Sequence, residues 1–94
     1  MVTLNDLRKQ AKNIELNVLK NRNCNYSKRL FIHYAREYIF TTYQNADSFR
    51  VVNAYVSDEN NNINVNSDIY CELLIYDAND KIIADIDLLK DVKY

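Results

Sequence analysis

The sequence predicts an α+β domain in which two N-terminal helices pack on one face of a three-stranded antiparallel β-meander. Three observations carry that expectation. Apolar residues recur at helical spacing as far as about residue 44. They alternate with period two from Phe49 onward, and a short polar turn splits the last alternating stretch into a hairpin. The 94 residues are read as a single domain, 1–94, because a chain of that length buries roughly two-thirds of its unfolded surface in one core.

The first helix is expected over about residues 4–20. Thr3 stands three residues before Asp6 in a capping-box-like pattern, and Leu4, Leu7, Ala11, Ile14 and Val18 then share one helical face. Ile14, Leu16 and Val18 also alternate with Glu15, Asn17 and Leu19, so a helix ending near Asn13 and followed by a strand is the competing reading. Asn21 to Tyr26 reads as a polar connection, with Ser27 as N-cap of a second helix over 27–44. That helix holds two of the three Phe, three of the eight Tyr and the only His. Its apolar arc covers more than half the wheel, which implies contact with both the first helix and a sheet.

Asn45 to Ser48 ends this helix without a glycine. Phe49 to Val56 is β-branched and aromatic, with Val52, Ala54 and Val56 on one face. Asp58 to Asp68 reads as a long polar connection. Ile69, Cys71, Leu73 and Ile75 then alternate with Tyr70, Glu72, Leu74 and Tyr76. Asp77 to Asp80 is the turn. In Lys81 to Leu89, Ile82, Ala84, Ile86 and Leu88 lie opposite Ile83, Asp85 and Asp87, and Lys90 to Tyr94 forms a polar tail.

Gly and Pro are absent, so other residues must make every turn. The fourteen Asn are the natural substitutes, because a short amide tolerates left-handed backbone and bonds nearby peptide groups. This composition fits an AT-rich coding sequence, as in low-GC bacteria and their phages or mobile elements. The two Cys make no disulfide framework, no secretory leader or membrane-spanning run is read, and a cytoplasmic location is expected.

The net charge of −1 hides a polarity. Residues 1–50 carry nine Lys or Arg against four Asp or Glu, and residues 51–94 carry three against nine. A chain divided in this way offers one surface to an anionic partner and another to a cationic one.

Two surfaces emerge as candidate partner-binding sites. On the second helix Arg29, His33, Arg36 and Phe40 fall within about a third of the wheel, a mixture that suits phosphate and base contacts or a protein hot spot. On the outer sheet face Tyr70, Glu72, Tyr76, Asp85 and Asp87 combine aromatic rings with carboxylates, which suits a basic groove on a partner or a homodimer seam. The ordinary reading of the helix cluster is that the chain termini cover Phe40 and the arginines are solvated. Arg8, Lys9, Lys12 and Lys20 on the first helix form a further basic flank, whose ordinary reading is a solubilising face.

Catalytic and cofactor chemistry finds no support. Zinc needs about four Cys or His ligands where three candidates exist, and a glycine-dependent phosphate loop is impossible here. Oxygen-bearing side chains at every second position from Asp58 to Asp68 faintly resemble a calcium loop. The positions that need Gly and a bidentate Glu, however, hold Ile63 and Ile69. No cofactor and no metal are therefore expected. The expectation is a small non-enzymatic module that binds and modulates a larger protein. In general style it is similar to small phage-borne inhibitors of host defence such as anti-CRISPR proteins, although no motif places it in one family. A nucleic-acid-binding regulator using the basic half is the alternative, and no membrane partner is expected.

Overall fold

The computed structural model describes residues 1–20, 22–57 and 63–89, with side chains at all of these except 54–57 and 63–68. Two helices precede a three-stranded antiparallel sheet, as the change of period predicts.

Helix α1 spans Leu4–Leu19. Thr3 is extended, its Oγ1 accepts from the Asp6 amide at 3.2 Å, and its own amide donates to Asp6 Oδ2 at 2.8 Å. This reciprocal box satisfies two helix-end donors and fixes where the helix starts. Leu7, Ala11 and Ile14 are fully buried along one face, while Leu16 is 41% exposed. Residues 14–19 are therefore helix, and the competing strand is overturned. Three alternating residues cannot outweigh a capped sixteen-residue helical face. The Arg22 amide bonds the Asn17 carbonyl at 2.8 Å, the six-residue closure that ends helices.

Helix α2 spans Asn25–Thr42, so it begins before Ser27, the expected cap. Cys24 occupies the N-cap position without a side-chain bond. One residue earlier, Asn23 Oδ1 accepts from the Asn25 amide at 2.9 Å. An Asx turn thus does the capping work, and Ser27 instead faces α1, where its hydroxyl meets Asn13 Nδ2 at 3.5 Å. At the far end the Tyr43 amide bonds Ile39, and the Asp47 amide bonds the Tyr76 carbonyl at 2.8 Å, tying the connection to the sheet.

Strands β1 (Ser48–Ser57), β2 (Ile63–Tyr76) and β3 (Ile82–Asp87) lie in the order β1-β2-β3. The expected polar connection from Asp58 to Asp68 is corrected, since Ile63 to Asp68 are already strand and Ile63 to Asn66 pair with the end of β1. Ladder bonds use backbone groups, so an Asn-rich segment pairs where a partner strand is at hand. The calcium-like side chains of 58–68 and the tail 90–94 lie outside the described residues.

Val52 stands opposite Glu72, but Asn53 stands opposite Tyr70 and Ala54 opposite Asn66. Such bulges reverse which residues look inward. A third irregularity lies between Ile75 and Tyr76, which puts Ile82 opposite Tyr76. Ile82 is 53% exposed and is not a core residue as its alternation suggested. On β1 the residues packed on the core are Phe49 and Val51, while Val52 shares the outer face with Glu72.

The core joins Leu7, Ala11 and Ile14 of α1, Cys24, and Phe31, Ala35 and Ile39 of α2 to Leu73, Ile75 and Leu88 of the sheet region. Helix α1 lies over β2, and α2 packs on α1. Helix α2 reaches the sheet through two ring contacts, Phe31 with Tyr70 and Phe40 with Phe49.

The β2–β3 turn works without glycine. Asp77 Oδ1 accepts from the amides of Asn79 (2.8 Å) and Lys81 (2.9 Å), and Asp80 takes the left-handed position at φ 62°. A short polar side chain tolerates that conformation better than other non-glycine residues do.

Candidate functional site

Arg29, His33, Arg36 and Phe40 are all exposed on α2, as their spacing requires. Eleven residue steps along the helix make this stripe about 16 Å long. Its aromatic end is anchored: the Phe40 ring is 44% exposed and meets Phe49 of β1 edge-on at 6.4 Å. The three nitrogenous side chains extend from the helix away from the core residues Phe31, Ala35 and Ile39.

The second surface is the sheet face turned away from the helices. Glu72 is flanked by Val52 and Asp87, Leu74 by Arg50 and Asp85, and Tyr76 by Ser48 and Ile82. Leu74 is only 9% exposed although it lies on this outer side, at the middle of the central strand between Arg50 and Asp85. Around it stand three carboxylates. Hydrogen bonding with the Asp85 carboxyl, which requires a proton on one of the two, holds the Glu72 carboxyl above its ordinary value. Partial burial and the charges of Asp85 and Asp87 act in the same direction. Asp87 is fixed in place: its Oδ1 accepts from the Leu89 amide at 3.0 Å, and its carbonyl accepts from Arg8 Nη2 at 3.5 Å.

The sequence grouping is corrected at one residue. Tyr70 does not share the outer face with Glu72 and Tyr76. Its ring lies 5.1 Å from Phe31, against the core, because the bulge beside Cys71 reverses the alternation. The nine candidate residues therefore divide three ways: Arg29, His33, Arg36 and Phe40 on α2, Glu72, Tyr76, Asp85 and Asp87 on the outer face, and Tyr70 between the layers. The first two groups lie on opposite sides of the sheet. Sequence reasoning missed Arg50 and Ile82 as members of the outer face. The period-two rule assigns Arg50 correctly once β1 is counted from Phe49 inward, but no sequence signal marks the bulge that turns Ile82 outward.

The basic flank of α1 is divided by burial. Lys9, Lys12 and Lys20 are solvated, and Arg8 is half-buried against β3.

A depression of about 400 Å³ opens beside the first turns of α1, lined by Met1, Val2, Asp6, Lys9, Gln10, Tyr34 and Glu37. Its charges are of mixed sign, and Asp6 is already engaged in the capping box. Cys24 and Cys71 are free thiols. Burial, with Glu72 and Asp87 nearby, pushes the Cys71 thiol up, and it donates to the Val52 carbonyl at 3.2 Å, the reverse of an activated nucleophile. Among the described residues no three ligating side chains gather for a metal, and no helix is long and apolar enough to cross a membrane.

No family model, curated protein or solved structure matches this chain.

Proposed function

We propose that the protein is a non-enzymatic binding module that covers a cationic groove on a larger protein with its outer sheet face. The observation that carries this reading is the cluster of Glu72, Asp85 and Asp87 around Leu74. Like charges directly across a sheet are destabilising by a few tenths of a kcal/mol to about 1 kcal/mol. Glu72 faces Asp87 directly across the ladder, with Asp85 diagonal to it on β3. Arg50, the cation that β1 places on this face, stands two strands from Asp85 across Leu74. A fold that keeps this repulsion has a use for it, and a cationic partner removes it. Leu74, Tyr76 and Ile82 beside the carboxylates supply the apolar contact that a stable interface needs.

Carboxylates in such an array stand in for phosphates, so a nucleic-acid-binding groove is the favoured class of partner. Small size and AT-rich composition support an accessory inhibitor of phage or mobile-element origin, acting in the cytoplasm on a host protein. The test is affinity capture from host lysate with wild type and a Glu72→Gln, Asp85→Asn, Asp87→Asn variant. Wild type should retain a specific protein that elutes with salt, and the variant should lose it. Equal capture by both overturns the assignment of this face.

A second reading, contact with nucleic acid, is favoured by the Arg29–Phe40 stripe alone. It predicts binding of labelled DNA or RNA that weakens steeply with salt and is lost in Arg29→Ala, Arg36→Ala.

A further inference from the structure

We infer that the two charged surfaces fit each other, so that the α2 stripe of one copy docks on the acidic sheet face of a second copy. The pairing rests on pattern as well as sign. Along α2 Arg29, Arg36 and Phe40 follow in that order over about 16 Å, with Arg36 about 10 Å from Arg29 and about 6 Å from Phe40. On β2 the run from Glu72 to Tyr76 covers about 14 Å. Its carboxylates Glu72, Asp85 and Asp87 gather at one end, with Tyr76 and Ile82 at the other. Laid end to end, the guanidinium groups meet the carboxylates while Phe40 meets Tyr76 and Ile82. This removes the cross-strand repulsion and covers two exposed apolar side chains, Phe40 at 44% and Ile82 at 53%.

The two surfaces lie on opposite sides of the sheet, so one contact leaves a free stripe on one copy and a free acidic face on the other. Such head-to-tail contacts build open chains, not closed dimers. A three-stranded face of this length offers about 200 Å² per copy, well below the roughly 800 Å² per partner of a stable complex. The association is therefore weak, reversible and sensitive to ionic strength. It gives the protein a self-made cover for its acidic face that a more cationic surface displaces. The contact uses the acidic face assigned above to a foreign partner, and so rests on that reading.

Sedimentation velocity at millimolar protein separates the two ideas, because it contains no foreign partner. At low ionic strength wild type should show a mass that rises continuously with concentration and falls to that of a monomer in molar salt. Arg29→Ala, Arg36→Ala keeps only the acidic face, and Glu72→Gln, Asp85→Asn keeps only the basic stripe. Each alone should remain monomeric, and their mixture should form a discrete one-to-one complex that does not grow. Wild type that stays monomeric at low salt overturns the inference, as does self-association that survives either double variant. Neither result bears on capture of a host protein. All four substitutions are at exposed or half-exposed positions, and circular dichroism checks that each variant is folded.

Discussion

Glu15 is the side chain whose replacement tests the energetics of this fold most sharply. It lies on the buried face of α1 at 3% exposure, and its Oε2 has no hydrogen-bond partner among the described residues. Burial raises its carboxyl above the ordinary 4.5, with the Lys12 charge opposing. A buried polar atom left unsatisfied costs about 1–3 kcal/mol. Glu15→Met keeps the length and removes the charge, so it should stabilise the protein by about that amount at pH 7. For a domain of this size each kcal/mol corresponds to about 4–8 °C in Tm.

The gain must also depend on pH in a definite sense. A carboxyl with a raised folded pKa imposes no ionisation penalty below its unfolded value. The penalty grows as pH rises from about 4.5 and is complete above the folded value. Urea unfolding of wild type and Glu15→Met, compared at intervals from about pH 4 to pH 8, isolates this residue because other groups cancel in the difference. The stability gap should widen with rising pH. A variant less stable than wild type at pH 7, or a gap independent of pH, refutes the claim that Glu15 is an uncompensated buried acid.

Other substitutions test the elements one at a time. Thr3→Ala should cost about 1 kcal/mol and speed amide exchange in the first turn of α1. Bonding to Thr3 lowers the Asp6 carboxyl below 3.8, so its support is present above that value and lost as pH falls through the folded one. Thr3→Ala removes the hydroxyl's share of this effect and keeps the larger share from the backbone amide, so it should reduce this acid limb of the stability profile only in part. Phe31→Ala should cost about 3–5 kcal/mol, a large part of a domain's total stability, and near-ultraviolet dichroism should show lost tyrosine packing. Asp80→Val should cost roughly 1–2 kcal/mol in thermal melts because a β-branched residue resists the left-handed region, whereas Asp80→Asn should be close to neutral.

How much was legible varied with the kind of signal. The Thr3–Asp6 box, the Leu7–Ala11–Ile14 seam, the Asp77–Asp80 turn and the exposure of Arg29, His33, Arg36 and Phe40 all follow from local chemistry and helical spacing. The early start of α2 was missed because Asn23, outside the helix, caps it through an Asx turn. The Ile63–Asp68 part of β2 was missed because its pairing depends on β1 and not on its own apolar content.

By itself the sequence determined the class of fold, the order of its elements and the charge polarity between its two halves, since each of these is written in periodicity or composition. Only the tertiary structure decided which side chains share a surface. Bulges beside Cys71 and Ile83 shift the ladder by a residue, and a one-residue shift sends a side chain through the sheet. Tyr70 thereby moves to the helix side against Phe31, and Ile82 moves out beside Tyr76. The same layering puts the basic stripe and the acidic face on opposite sides of one sheet, a separation that no count of charges along the chain contains.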